Sequence, residues 1–328
     1  MTFVVLWTDI MVWILVLALL AWGWTLSRSP QVKKLWHMIF RSSIAMASAI
    51  ILLFYLFFTL LDSLHLRFSL PSTQSTGQTV QYDGEIVSLL DLLFTHSIEN
   101  TERTYSAPFA THEYTTSIVV DEQGTTKQVY LPLKHVSSGD DILKKSLFAL
   151  MTGLSISVLL IVFHLFWRKR GSVRDELQKT WKGKTDLPWR TAYLTLTLLI
   201  VTFVWFYMLS FDYHVLGTDK VGGDVLYQSF KSIRTGVLIG ILTTLVMLPV
   251  AIFLGVSAGL FGGWVDDVIQ YLYTTLSSIP GVLLIAAGVL SMQVMMDNNP
   301  SWFESTLERS DLRLLFLIMI LGYQKRIP

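Results

Sequence analysis

Hydrophobic and polar positions along the 328-residue chain are grouped in blocks. Apolar runs lie at 5–26, 43–62, 146–167, 190–210, 235–259 and 268–291. Each is about the 20 residues an α-helix needs to cross ~30 Å of hydrocarbon. A shorter run starts at Leu312 and reaches the polar stretch YQKRIP after about a dozen residues, too few to cross. The pattern predicts an all-α polytopic membrane protein of about seven transmembrane helices, the last incomplete. Between the second and third runs, residues 63–145 are polar. Within them β-branched residues alternate on both sides of Asp121-Glu122-Gln123-Gly124, which predicts a β-hairpin of strands near 115–120 and 125–131.

Charge then orients the spans. Arg28, Lys33, Lys34 and Arg41 follow the first run, and eight basic residues lie between Arg168 and Arg190. Basic loops stay in the cytoplasm, so 27–42 and 168–190 are expected inside. Alternation then places the N-terminus, 63–145, 211–234 and 292–311 outside. No basic residue precedes the first run, so it lacks the charged start of a signal peptide and is expected to remain as an anchor.

Composition agrees with a membrane protein: 52% of residues are hydrophobic, 15% charged, and there are 11 tryptophans, with a mean hydropathy of +0.53. A net charge of +1 gives no reason to expect nucleic acid as a partner. The absence of cysteine removes disulfides, thiolate catalysis and cysteine-based zinc sites. Gly183-Lys184-Thr185 looks like the end of a phosphate-binding loop, but position 178 is Gln where that motif needs Gly. The basic run around it reads as a topology signal lying against anionic membrane lipid. The seven histidines have no metal-ligand spacing. His164 falls inside the third run, next to Trp167-Arg168, and reads as an interfacial anchor. Asp9 and Asp62, near the ends of runs, are expected at the water boundary. No catalytic, cofactor or metal site is expected.

Glycine is more informative. Gly236 and Gly240 form one G-x-x-x-G pair, and Gly255, Gly259 and Gly263 continue the spacing, so all are expected on one helical face. Small residues let helices approach closely in lipid, although any polytopic protein uses them. Pro249 between the two groups predicts a kink.

The polar link 214–230, HVLGTDKVGGDVLYQSF, adds His214, Gly217, Thr218, Asp219, Gly222 and Asp224, followed by Arg234 at the start of the fifth run. Then come GVSAGLFGGWVDD and Pro280-Gly281. In this order the residues resemble the permease subunits of dipeptide and oligopeptide ABC importers, whose pattern is His-x-x-Gly-Thr-Asp-x-x-Gly-Arg-Asp. The resemblance covers about 190–323, with Gly223 where the family usually carries Arg. Together with the hydropathy and charge reading it gives four regions: an N-terminal transmembrane hairpin at 1–62, an extracytoplasmic lobe at 63–145, a third helix with a basic cytoplasmic loop at 146–189, and a permease core at 190–328. The first 189 residues read as an extension that the simplest members lack. Family members also carry a cytoplasmic Glu-Ala-Ala loop that docks into the ATPase, and the sequence ends before it, so the core is expected to be incomplete.

What the resemblance implies is transport without catalysis. It implies a subunit of an ATP-driven importer of peptides or similar small solutes, in the bacterial inner membrane, working by alternating access. Its partners would be a second homologous permease subunit, cytoplasmic ABC ATPase subunits and an extracytoplasmic substrate-binding protein. In the linking loop, Asp219 and Asp224 are suited to capping helix N-termini. The alternative reading is a membrane-anchored sensor or scaffold whose outer lobe binds a ligand.

Overall fold

The structure, a computed structural model, describes residues 2–69, 82–120, 126–136, 141–168, 173–183, 185–302 and 306–324. In chain order its elements are β1 (Thr2–Val4), α1 (Trp7–Arg28), α2 (Pro30–Phe40), α3 (Ser43–Asp62), β2 (His65–Ser69), β3 (Tyr82–Ser88), α4 (Leu89–Leu93), α5 (Thr95–Glu99), β4 (His112–Val120), β5 (Thr126–Pro132), α6 (Ile142–Arg168), α7 (Val173–Trp181), α8 (Trp189–Leu209), α9 (Val225–Phe261), α10 (Gly263–Ser277), α11 (Gly281–Asn298) and α12 (Thr306–Gln324). Among the described residues, six helices are long and apolar enough to cross a membrane: α1, α3, α6, α8, α9 and α11. Many of their large side chains face outward, Leu20, Leu52, Leu159 and Leu198 among them. Such surfaces suit a hydrocarbon solvent and would be costly in water. The chain is an all-α polytopic membrane protein with two small sheets.

Two compact units divide the chain. The first comprises 1–19, 59–89 and 233–328. In it β1, β2 and β3 form an antiparallel sheet in that order, with Thr2 opposite Arg67 and His65 opposite Ser88. The strand before α1 therefore lies at the same end as the strand after α3, as alternation of sides requires. Its apolar core is Val12, Leu238 and Ile318, with Leu60, Ile239 and Leu314 packed against them. Gly288 of α11 faces Ile320 and Phe316 of α12 without a Cβ to keep them away.

The second unit comprises 20–58 and 90–232. Here α6 and α8 run antiparallel: Trp205 Nε1 donates to Ser146 Oγ at 2.6 Å, Gly153 meets Val201, and His164 Nδ1 lies 2.9 Å from Tyr193 Oη. A Cβ at Gly153 would stand 3.0 Å from the Val201 Cα, so this glycine sets how closely the pair approaches. His164 also lies against the Trp189 ring, 4.9 Å between centroids. Rings at Phe58, Phe203, Phe230 and Phe94 form the core, with Phe58 5.0 Å from both Phe203 and Phe230. The hairpin falls where alternation predicted it: β4 and β5 pair antiparallel with Val120 opposite Thr126, and residues 121–125 lie outside the described residues.

Three boundaries differ from the hydropathy reading. The helix α9 begins ten residues before the expected 235–259 run, because its polar first turns are held by a cap rather than by lipid. It continues through Pro249 to Phe261, spanning ~55 Å at 1.5 Å per residue. The expected span 268–291 is two helices, α10 and α11, divided at Ser278–Pro280. Proline disfavours helical backbone at the residue before it and lacks an N–H of its own. The last helix starts at Thr306, before the apolar run at Leu312.

Candidate functional site

In the second unit, the link from α8 to α9 is a tight loop built by two glycines and two aspartates. Gly217 and Gly222 have φ of +77° and +79°, backbone that a side chain disfavours. Asp219 Oδ1 accepts from the Val221 and Gly223 amides at 3.0 and 2.9 Å, and its Oδ2 accepts from Gln228 Nε2 at 2.8 Å. These donors, Gln228 first, hold the Asp219 carboxyl below its ordinary range. Asp224 caps α9: its Oδ1 accepts from the Leu226 and Tyr227 amides at 2.8 and 3.2 Å. Its Oδ2 lies 2.9 Å from Nδ1 of His214. Both aspartates are thus satisfied without an arginine at position 223. Gln228 occupies the space beside that glycine.

Residues 102–110 of the same unit wrap this loop. The Glu102 amide donates to the Gly222 carbonyl at 2.9 Å, and a Cβ on Gly222 would collide with the Glu102 backbone. Thr218 donates its hydroxyl to the Thr104 carbonyl at 2.8 Å and its amide to the Ser106 carbonyl at 3.3 Å. The Glu102 carboxylate accepts from the Lys134 and His135 amides at 3.0 and 2.8 Å and stands 3.7 Å from His214 Nε2. That nitrogen is buried and has no hydrogen-bond partner among the described residues. Nearly two turns into α9, Lys231 reaches Asp91 at 2.6 Å, and Tyr227 Oη donates to the same carboxylate at 2.7 Å. Nearby, His96 lies 2.9 Å from Ser210 Oγ and stacks on Phe211 at 3.9 Å, and burial lowers its pKa.

Arg234, in the first unit, sits in a charge cluster that the sequence reading missed. Its guanidinium donates to Asp9 Oδ1 at 2.6 Å and to Thr8 Oγ1 at 2.5 Å, with Asp62 Oδ2 at 4.0 Å. Asp9 also accepts from the Leu6 amide at 3.0 Å and pairs with His65 at 2.9 Å, while Ser88 donates to Asp62 at 2.8 Å. Asp9 and Asp62 are 1% and 2% exposed, so both are buried in protein rather than standing at a water boundary. The available signal was an ionisable residue at the edge of an apolar run, which calls for a named partner.

The glycine face divides. Gly236, Gly240, Gly255 and Gly259 lie on α9, and among the described residues nothing beyond the helix's own neighbouring backbone comes within 4 Å of where their Cβ atoms would be. Gly263 is not on that face: with Gly262 it has a φ of +54°, ends α9 and opens α10. Among the described residues no group of histidines and carboxylates could hold a metal ion.

The arrangement is that of a multi-pass membrane protein in which a glycine–aspartate loop positions the start of a very long helix. Over part of its length the chain is similar to permease proteins of peptide and glutathione transport systems. Over 73 residues it is 33% identical to the oligopeptide transport system permease protein OppC of Mycobacterium bovis, covering 22% of this chain and 25% of that one. Over 85 residues it is 34% identical to the glutathione transport system permease protein GsiD of Pectobacterium atrosepticum, 26% of this chain and 28% of that one. With the dipeptide transport system permease protein DppC of Lactococcus lactis the identity is 28% over 74 residues, 23% of this chain and 22% of the relative. The chain therefore spans about a quarter of the length of the curated relatives it matches. No family model and no solved structure matches it.

Proposed function

We propose that the protein is a permease subunit of an ATP-driven importer of peptides or similar small solutes in a bacterial inner membrane. It forms part of the translocation path and alternates between access to the two sides. The observation that carries this reading is the loop from His214 to Asp224. Its residues follow the permease pattern, and they fold as a cap on α9, the longest apolar helix of the chain. The work of ATP hydrolysis falls to separate ATPase subunits, and a substrate-binding protein delivers the solute. The exposed glycines of α9 supply a close-packing face for a homologous permease subunit.

Uptake tests the proposal. Deleting the gene in its own bacterium should abolish accumulation of at least one labelled solute from a panel of di-, tri- and pentapeptides and glutathione. A plasmid copy should restore it, and a copy carrying Asp224→Ala should restore it poorly. Unchanged uptake of every member of the panel would remove the importer reading.

A further inference from the structure

In the second unit, an open cavity of about 590 Å³ lies where α3 and α8 begin, closed on another side by the end of α7 and the loop after it. Two guanidiniums line it: Arg41, two residues before α3, and Arg190, in the first turn of α8. Among the described residues neither forms an ion pair; Arg190 only leans over the Trp181 ring, 5.5 Å from its centroid. The hydroxyls of Ser43 and Thr191 line the same space. Pro188 precedes α8 and supplies no side-chain cap, and the Trp189 amide donates instead to the Leu187 carbonyl at 2.8 Å. One carboxylate, Asp186, lies on the lining. Among the described lining residues, two cations and one carboxylate suit a ligand with a single negative charge.

The surroundings show where such a ligand comes from. Two spans start at the cavity, and α7 ends there with Trp181 while α8 opens with Trp189, the residue type that marks a membrane–water interface. Below Arg190 the helix turns apolar. Leu194 lines the cavity, and Leu198, one turn further, lies on the same face; they are 52% and 68% exposed. A soluble phosphate would use the arginines and leave this track empty, whereas a phospholipid uses both.

We propose that the start of α3 and α8 is a binding site for the phosphodiester headgroup of a membrane phospholipid, held by Arg41 and Arg190 with an acyl chain along Leu194 and Leu198. The site is independent of the transport reading.

Native mass spectrometry of the purified full chain in detergent tests it, with phosphatidylglycerol as the probe and inorganic phosphate as the competitor. The chain should retain one lipid that millimolar phosphate does not displace. Arg41→Gln with Arg190→Gln should weaken retention about thirty-fold, from the usual contribution of a basic side chain near an anionic headgroup. Lys33→Gln with Lys34→Gln removes equal charge from exposed α2 positions outside the cavity and should weaken retention clearly less than the arginine pair does. Leu194→Ser with Leu198→Ser keeps both arginines and should weaken lipid retention through the apolar track alone. Equal loss in the arginine and lysine variants would mean diffuse surface attraction and overturn the site. Displacement by phosphate, or full retention by the arginine or leucine variant, would overturn the lipid assignment.

Discussion

Replacing Arg234 with Met tests whether the first unit is held together by charge. The side chain is similar in length and keeps its packing along α9, but the guanidinium is lost. Asp9 and Asp62 then remain buried, with His65 as the nearby titratable partner. Removing one member of a buried ion pair costs about 3–5 kcal/mol, most of it from the charge left behind. A chain of this size loses roughly 2–4 °C of melting temperature per kcal/mol, so the expected fall is about 10 °C. The assay is thermal unfolding of the purified protein in detergent, followed by circular dichroism. Asp9→Asn in the Arg234→Met background should recover part of the loss, because it removes the stranded charge. The coupling between the two positions should be about 1–3 kcal/mol. A variant that melts within 2 °C of wild type, on the order of the error expected for a surface change, would show that the cluster contributes nothing. So would strict additivity of the two substitutions.

Three further outcomes follow from the second unit and the glycine face. Gly222→Ala should cost about 2–4 kcal/mol in the same unfolding assay, since it adds strain at positive φ and breaks the contact with the Glu102 backbone; protease cutting within 102–110 should rise in parallel. His96 has a pKa lowered by burial, offset in part by the charge on Asp224, so its contribution to stability is complete above the ordinary value of 6.5 and is lost as pH falls from there through the folded value. Melting temperature should therefore decline below that pH in wild type and decline less in His96→Gln, and parallel curves would refute the assignment. Gly259→Leu should leave the unfolding of the isolated chain within about 0.5 kcal/mol of wild type, because no described residue outside the helix faces that position, yet should abolish co-purification with the proposed partner permease; loss of stability in the chain alone would show that the face packs internally.

The spans were legible because a run of about 20 apolar residues has few other uses. The hairpin was legible because alternation of β-branched residues has the strand period. Of the two aspartates expected to cap helices, Asp224 caps α9 while Asp219 binds the amides of its own loop. What hydropathy concealed was the polar beginning of α9: Tyr227, Gln228 and Lys231 lower the average, although Asp224 and Asp91 hold them in helix. The break at Ser278–Pro280 was written in the sequence but lost in averaging over a window that bridges it. The Arg234 cluster was out of reach, since its partners are Asp9, Asp62 and His65, and no local pattern measures a separation of some 225 residues. A strand as short as β1 has no periodicity to read at all.

In both units, carboxylates from the first 189 residues meet basic or polar groups from the segment that resembles the permease core. Asp9 and Asp62 meet Arg234; Asp91 meets Lys231; Glu102 takes up His214 and the backbone beside Gly222. Had these residues been an independent appendage, their charges would have been matched among themselves, and its removal would cost the core little. Instead, each of the two cations on α9 would lose its partner, Arg234 while only 13% exposed. A largely buried unpaired guanidinium costs several kcal/mol, comparable with the whole stability of a typical domain. Within each unit, therefore, residues from the first 189 and residues from the segment after them pack together. Within the second unit the glycine–aspartate loop keeps its shape because residues 102–110 pack against it, so a change in that segment is felt at the cap of α9.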